Sequence, residues 1–502
     1  MSDSSKSYQQ ILKTTSLFGA VHFFTILISI IRTKLIAVFI GPAGMGIIAL
    51  LNSTLNVISG FSGLGTETSA VKNISENYKN NDFKTVSTTI QIVKKVVFFT
   101  GIFGMLLTIL FAKALSTIAF GDSNQMYAFI FLAVTVLFKQ LSTVQLAVLQ
   151  GLRQMQLLAK ANLYGSLFGL VFSIPFYYFL KVDAIIPTIL TASITALIFS
   201  FYYSDKVKIE KEKVSKGVFF AEGKSIVKLG LMLTISGVLT LLSTYLVQIY
   251  IGKIGGLEQV GFYNAGFTLL NSYVGIIFTV MSTDYFPKLA AVNTDNEKVR
   301  SGVVQQAFIS ITIITPIIVL FLTFISIIIP VIYTAKFNAV IPMVCFGILG
   351  MLFRSVSWAM GFILIAKGDS KMFIKTAVGF NILSLIMNIA GYYFDGLEGL
   401  GISFCLYFLF HFIGLKIITK KRYDFYFDKD FYQTYFVCFL ICIITFLLRY
   451  IEFPILKYSL MTVMVFVSLA FSVNQINKKT NLKEIFTAAV PKKNDQNDAE
   501  KL

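Results

Sequence analysis

Apolar runs follow one another along the whole chain with only short polar connectors between them, and this alternation is the feature that most restricts what the sequence can become. The hydrocarbon core of a bilayer is about 30 Å thick, which an α-helix crosses in about 20 residues. Runs of that length fall near residues 14–40, 44–66, 86–112, 126–150, 161–180 and 185–203, then near 226–251, 262–286, 303–330, 340–366, 376–394 and 401–419. Two more follow near 432–449 and 457–473. In lipid each segment must satisfy its own backbone hydrogen bonds, so the runs are expected to be helices. The expected fold is an all-α integral membrane protein with about 14 transmembrane helices.

With 56% hydrophobic and 14% charged residues over 502 positions, a soluble domain is excluded. The net charge of +18 does not point to nucleic acid, because the basic residues sit in connectors. Alternate connectors carry clusters: Lys72, Lys79 and Lys84; Arg153 and Lys160; six lysines between Lys206 and Lys224; Lys288, Lys298 and Arg300; Lys367, Lys371 and Lys375; Lys420, Lys421 and Arg422. The remaining connectors have isolated cations. By the positive-inside rule the protein is expected to be multi-pass with both termini cytoplasmic. The lysine-rich connector would lie along anionic phospholipid headgroups. The first span lacks a cleavage signature and is expected to stay, and the segment from Asn474 onward reads as a partly disordered tail. The four cysteines and two histidines show no metal-ligand spacing beyond a C-x-x-x-C inside a span, so no metal or other cofactor is expected.

Against this apolar background, Arg32, Lys34, Lys139 and Arg354 stand inside spans. An ionised side chain there costs roughly 2.5–3.5 kcal/mol on insertion scales and usually faces a cavity, a partner or the headgroups. Lys139 and Arg354 are central in spans four and ten, too deep for a lysine stem to reach the interface, so they are expected to line a cavity. Arg32 and Lys34 are two residues apart, on opposite helix faces, and one of them could snorkel, with Arg32 the favoured cavity residue; both stand with Lys139 and Arg354 as candidates to bind an anionic cargo in a cationic cavity. Mid-span acids are absent, which argues against a proton- or sodium-coupled exporter of cationic drugs. Glu67 and Asp284 close spans two and eight; with Arg153 they could form an inner gate, or simply be solvated helix ends.

An internal repeat is visible. Leu35–Gly41 resembles Leu246–Gly252 at a separation of 211, Thr66-Glu67 resembles Thr283-Asp284 at 217, and Gly151–Met155 resembles Gly368–Met372 at 217. Ile174–Phe179 and Ile389–Phe394 share a Tyr-Tyr-Phe ending. An even number of spans per repeat gives two parallel, pseudo-symmetric halves, an arrangement suited to alternating access. The expected organisation is a six-helix bundle over 1–203, a basic cytoplasmic linker over 204–225, a second six-helix bundle over 226–419, two additional helices over 420–473 and a cytoplasmic tail over 474–502.

Gly41-Pro-Ala-Gly-Met-Gly46 after a cation-bearing first helix, Tyr285-Phe-Pro-Lys-Leu289, and Arg354 followed by Met360-Gly-Phe-Ile-Leu-Ile-Ala-Lys367 resemble Wzx-type O-antigen translocases. These form the polysaccharide-transporter branch of the superfamily that includes MATE exporters and MurJ lipid II flippases. The resemblance implies a flippase in the bacterial inner membrane that moves undecaprenyl-diphosphate-linked oligosaccharide from the cytoplasmic to the periplasmic leaflet, with a cationic central cavity and no catalysis. A downstream polysaccharide polymerase is a candidate partner, and the sequence leaves three sources of drive open: an ion gradient, the membrane potential or mass action of that polymerase. By position, Lys34 resembles the first-helix lysine of Wzx proteins, Arg32 the first-helix arginine of lipid II flippases, and Arg354 another Wzx cation; Lys139 has no family counterpart. The two extra C-terminal spans resemble lipid II flippases, so lipid II transport is the alternative, and drug export is less favoured.

Overall fold

A chain whose backbone is satisfied segment by segment should contain helices and turns only. In the computed structural model the described residues, 24–207, 209 and 215–479, contain no strand; the side chains at 216, 220, 221, 232, 233, 283 and 284 lie outside the description. The helices are α1 (24–39), α2 (Gly41–Ser62), α3 (Thr66–Lys79), α4 (Phe83–Leu110), α5 (Ala112–Phe120), α6 (Met126–Gly151), α7 (Met155–Leu180) and α8 (Ile185–Ser204). They continue with α9 (Lys216–Thr268), α10 (Ile276–Ala291), α11 (Asn296–Ile332), α12 (Ile341–Ala366), α13 (Ser370–Tyr423), α14 (Lys429–Leu448) and α15 (Pro454–Lys479).

Ten stretches are long and apolar enough to cross a membrane. Three of them run for 50, 58 and 54 residues. At 1.5 Å per residue a straight helix of that length would be more than twice the hydrocarbon thickness, so each must turn back. The turns are the short 3₁₀ segment Lys181–Ala184 between α7 and α8, Gly256 inside α9, and Asp395 with Gly396 inside α13.

These reversals carry the repeat. Positive φ occurs at Gly41 (76°) and Gly256 (79°), at Arg153 (57°) and Gly368 (68°), and at Lys181 (50°) and Gly396 (52°), each pair 215 residues apart. The register corrects two of the sequence matches. Gly151 is the last residue of α6, where a Cβ would come within 2.7 Å of the Ile74 side chain; the left-handed position that Gly368 fills belongs to Arg153. Similarly, Gly41 corresponds to Gly256 and not to Gly252, a shift of about one helical turn.

The halves meet where α2 lies along α9. A Cβ on Gly46 would stand 2.0 Å from the Leu257 carbonyl oxygen, and one on Gly261 would stand 1.9 Å from the Pro42 carbonyl oxygen. Gly46 and Gly261, like Pro42 and Leu257, are 215 apart, so the contact is reciprocal, as expected across a rotation axis. At the lysine-rich end, Gly65 presses on the Gly230 carbonyl, 2.1 Å from where its Cβ would be.

Other boundaries differ from the sequence expectation. Span two ends at Ser62; Leu64 and Gly65 turn left-handed and Thr66 begins α3. The connector after α4 holds α5, and the expected linker is helical from Lys216, capped by the Ser215 hydroxyl accepting from Val218 N. The tail begins as helix up to Lys479, while 480–502 and the start of span one fall outside the described residues. α14 and α15 pack on α11 and join the main core through Cys438, Ile441, Met461 and Val465.

Candidate functional site

Polar side chains within spans need either partners or a wet cavity, and each half encloses one. In the N-terminal half α1, α2, α6, α7 and α8 surround about 330 Å³, lined by Arg32, Asn52, Asn56, Lys139, Ser173 and Tyr177 among others. In the C-terminal half α9, α12, α13 and the π-helical turn Leu269–Val274 surround about 320 Å³. Both volumes are in the roughly 300–1,000 Å³ range of small-ligand pockets.

The two cavities contain the same device. Lys139 Nζ donates to Asn56 Oδ1, and Arg354 Nη1 donates to Asn271 Oδ1 at 2.7 Å. In both pairs the partners are 83 residues apart, and the pairs are 215 apart, the register of the turns. Lys139 therefore has a counterpart within its own chain, Arg354. A neutral amide satisfies one proton of each cation without neutralising its charge, so the positive field remains in the cavity. Arg354 also lies over the rings of Phe278 and Phe408, at 5.2 and 5.3 Å.

The first-helix cations separate. Arg32 enters the N-terminal cavity, donating from Nη2 to the Ser166 carbonyl at 3.1 Å, and Gly169 gives it room, since a Cβ there would be 3.4 Å from Nη2. Lys34 donates to the Pro330 carbonyl at 2.8 Å. That carbonyl is in the last turn of α11, where no downstream helical N–H remains to reach it, so Lys34 caps a helix end.

A third cavity of about 430 Å³ lies between α2, α6 and α9 and shares Asn56, Ser59, Lys139 and Thr143 with the N-terminal one. Glu67 lines it. Behind Lys139, Gln140 accepts from Thr100 Oγ1 at 3.1 Å and donates to Ser62 Oγ at 2.6 Å. Glu67 and Lys139 share this space, whereas Arg153 stands in the α6–α7 turn, apart from the lining. The Asp284 side chain lies outside the described residues. Among the described residues no group of three His, Cys, Asp or Glu could hold a metal ion.

Asn56 and Asn271 were missed in the sequence reading. Their signal was present: two asparagines inside apolar runs, at the repeat spacing, each 83 residues before a mid-span cation.

A family model described as polysaccharide biosynthesis protein matches residues 35–342. No curated protein matches the sequence. Among solved structures, an inward-facing multidrug resistance MATE family transporter of the MOP superfamily superposes with a TM-score of 0.68 at 12% identity, covering 79% of this chain and 94% of its own. The lipid II flippase MurJ in an inward closed conformation gives 0.64 at 14% identity, covering 92% and 99%. A MOP superfamily transporter from Pyrococcus furiosus, described as having a binding pocket of reverse polarity, gives 0.64 at 11%, covering 84% and 96%. At these identities the likeness is one of fold.

Proposed function

Because the chain belongs to the polysaccharide biosynthesis protein family, we propose that it is a flippase carrying polyprenyl-diphosphate-linked oligosaccharide across the bacterial inner membrane, from the cytoplasmic to the periplasmic leaflet. The observation that carries this reading is the repeated cation and asparagine pair, Lys139 with Asn56 and Arg354 with Asn271, in two cavities whose own described linings include no carboxylate. The one carboxylate near either pair is Glu67, which faces Lys139 across the adjoining third cavity and leaves Arg32 and Arg354 unopposed among the described lining residues. A diphosphate leaving water needs fixed positive charge, and arginine can hold two of its oxygens at once. Arg32 and Lys139 supply two charges in one half and Arg354 a third in the other, so halves that close around the cargo bind it more strongly, which couples binding to the conformational switch. No cofactor or catalytic step is part of the proposal; the drive is an ion gradient, the membrane potential or removal of product by a polymerase.

The MurJ likeness, which covers 92% of this chain against 79% for the inward-facing MATE transporter, favours a second cargo of the same class, lipid II. The test is an assay of outer-leaflet glycolipid in cells or proteoliposomes. The Lys139→Ala, Arg354→Ala double variant should insert and accumulate normally yet lose flipping by at least about a hundredfold, two charge-assisted contacts being removed. Normal flipping by that variant would falsify the cationic mechanism.

A further inference from the structure

We infer that the C-terminal cavity is a sugar subsite, which seats a monosaccharide of the cargo while the diphosphate is held in the N-terminal cavity; this rests on the flippase reading above. The argument is an internal comparison. At the 215-residue register the two cavities keep their cation and asparagine but diverge around them. Where the N-terminal half has Ala192, Ser193 and Ala196, the C-terminal half has Tyr407, Phe408 and His411. Where α7 has Ser166, Gly169 and Ser173, α13 has Asn381, Ser384 and Asn388. Arg32 has no cationic counterpart, since the residues facing the cavity at the two candidate registers, Ser243 and Val247, are short. The carbonyl that takes the Arg32 proton in one half is Ser166; the equivalent carbonyl, Asn381, takes a proton from the Ser243 hydroxyl at 3.4 Å.

The space that a guanidinium fills in one half is thus cavity in the other, walled by rings and amides. Asn381 donates from Nδ2 to the Ala377 carbonyl at 2.8 Å, and Asn388 donates to the Ser384 carbonyl at 2.7 Å. Each amide spends a donor on its own helix, Asn388 also reaching the Ser384 hydroxyl at 3.2 Å, and keeps its carbonyl oxygen as an acceptor for a hydroxyl. Arg354 supplies donors, and Tyr407, Phe408 and His411 supply flat faces for the apolar side of a ring. Acceptors, donors and aromatic faces without a carboxylate suit a polyhydroxylated ring and do not suit a cationic drug. The N-terminal cavity, with two cations and small residues, suits a compact polyanion.

Full-length protein in lipid nanodiscs is titrated with tritiated farnesyl diphosphate and with the same diphosphate carrying glucose, galactose or N-acetylglucosamine. Trp358, the single tryptophan, lies one turn from Arg354 with its ring 5.5 Å from Phe278, so its emission reports on the C-terminal cavity. At least one sugar-bearing probe should bind about tenfold more tightly than the bare one, as a few hydrogen bonds provide, and should shift the Trp358 emission. Asn381→Leu with Asn388→Leu should erase that advantage and leave bare-probe affinity unchanged. Ser384→Ala, a milder change, serves if the double variant does not accumulate. The subsite is overturned if none of the three sugars improves binding in the unaltered protein, or if the improvement survives the substitutions. Failure of the bare probe to bind while a sugar-bearing probe binds through Asn381 and Asn388 would remove the diphosphate reading and keep the subsite.

Discussion

At the scale of single residues, the in-span cations differ in what answers their charge. Lys34 meets the orphaned Pro330 carbonyl at the end of α11, a helix of the other half, so its role is to join the halves. Lys139 and Arg354 meet amide oxygens inside cavities and keep protons to offer. Lys34→Ala should therefore cost stability, about 1–3 kcal/mol for a buried acceptor left unpaired, and leave farnesyl diphosphate binding unchanged. Thermal unfolding in detergent and a binding titration on one preparation check both halves of that expectation; a large loss of binding at unchanged stability would return Lys34 to the cargo site. The equivalence of Lys139 and Arg354 was hidden in the sequence because glycine serves two purposes. Gly151 is small for close packing on Ile74, and Gly368 supplies a left-handed turn. Aligning them shifts the register by two residues and sets Lys139 against Val356.

Among the helices, the apolar runs located the spans because lipid leaves the backbone no alternative to helix. Their ends were harder, since a left-handed turn such as Leu64–Gly65 is only a few residues long and has no hydrophobic period. Some ends are chemically explicit. Asp369 accepts from Met372 N at 3.1 Å as the N-cap of α13, and its other oxygen accepts from Tyr423 Oη at 2.7 Å and from Arg422 Nε, so one carboxylate closes both ends of the α13 hairpin. The Tyr423 hydroxyl, then the Met372 amide and Arg422, outweigh burial and hold its pKa below the ordinary carboxylate value. With the folded pKa depressed, the stabilisation is present above the unfolded pKa of about 3.9 and is lost as pH falls through the folded value. Asp369→Asn keeps the cap but removes the charge that Arg422 and Tyr423 meet, so it should lower stability at neutral pH by up to about 1 kcal/mol, the scale of an exposed ion pair, and the difference from the unaltered protein should shrink below about pH 4. Unfolding midpoints at pH 7 and pH 3.5 test this.

For the molecule as a whole, the decisive contact is α2 along α9. Backbones touch at Gly46 with Gly261 at one end and at Gly65 with Gly230 at the lysine-rich end, and no diphosphate-bearing headgroup passes between helices in backbone contact. A flippase working by alternating access must part these contacts in turn. The lysine-rich end is held by the Gly65–Gly230 approach and by Ile226 of α9 packed with Ile92 and Val93 of α4, contacts of dispersion and apolar burial that can re-form as the helices slide. A Cβ on Gly60 would stand 3.4 Å from Val238 Cγ2, so the two positions face each other across the contact and a disulfide between them asks for a modest approach of α2 and α9. The four native cysteines lie within spans, and Cys345, Cys438 and Cys442 are buried, so an introduced pair should be the one that oxidises. Gly60→Cys with Val238→Cys should flip glycolipid normally when reduced, lose at least about 90% of the rate when oxidised, and recover on adding reductant, a cross-link of covalent strength being far beyond thermal opening. Unimpaired flipping by the oxidised protein, with the bond verified by mass spectrometry, would show that α2 and α9 need not part at that end and that the cargo takes another route.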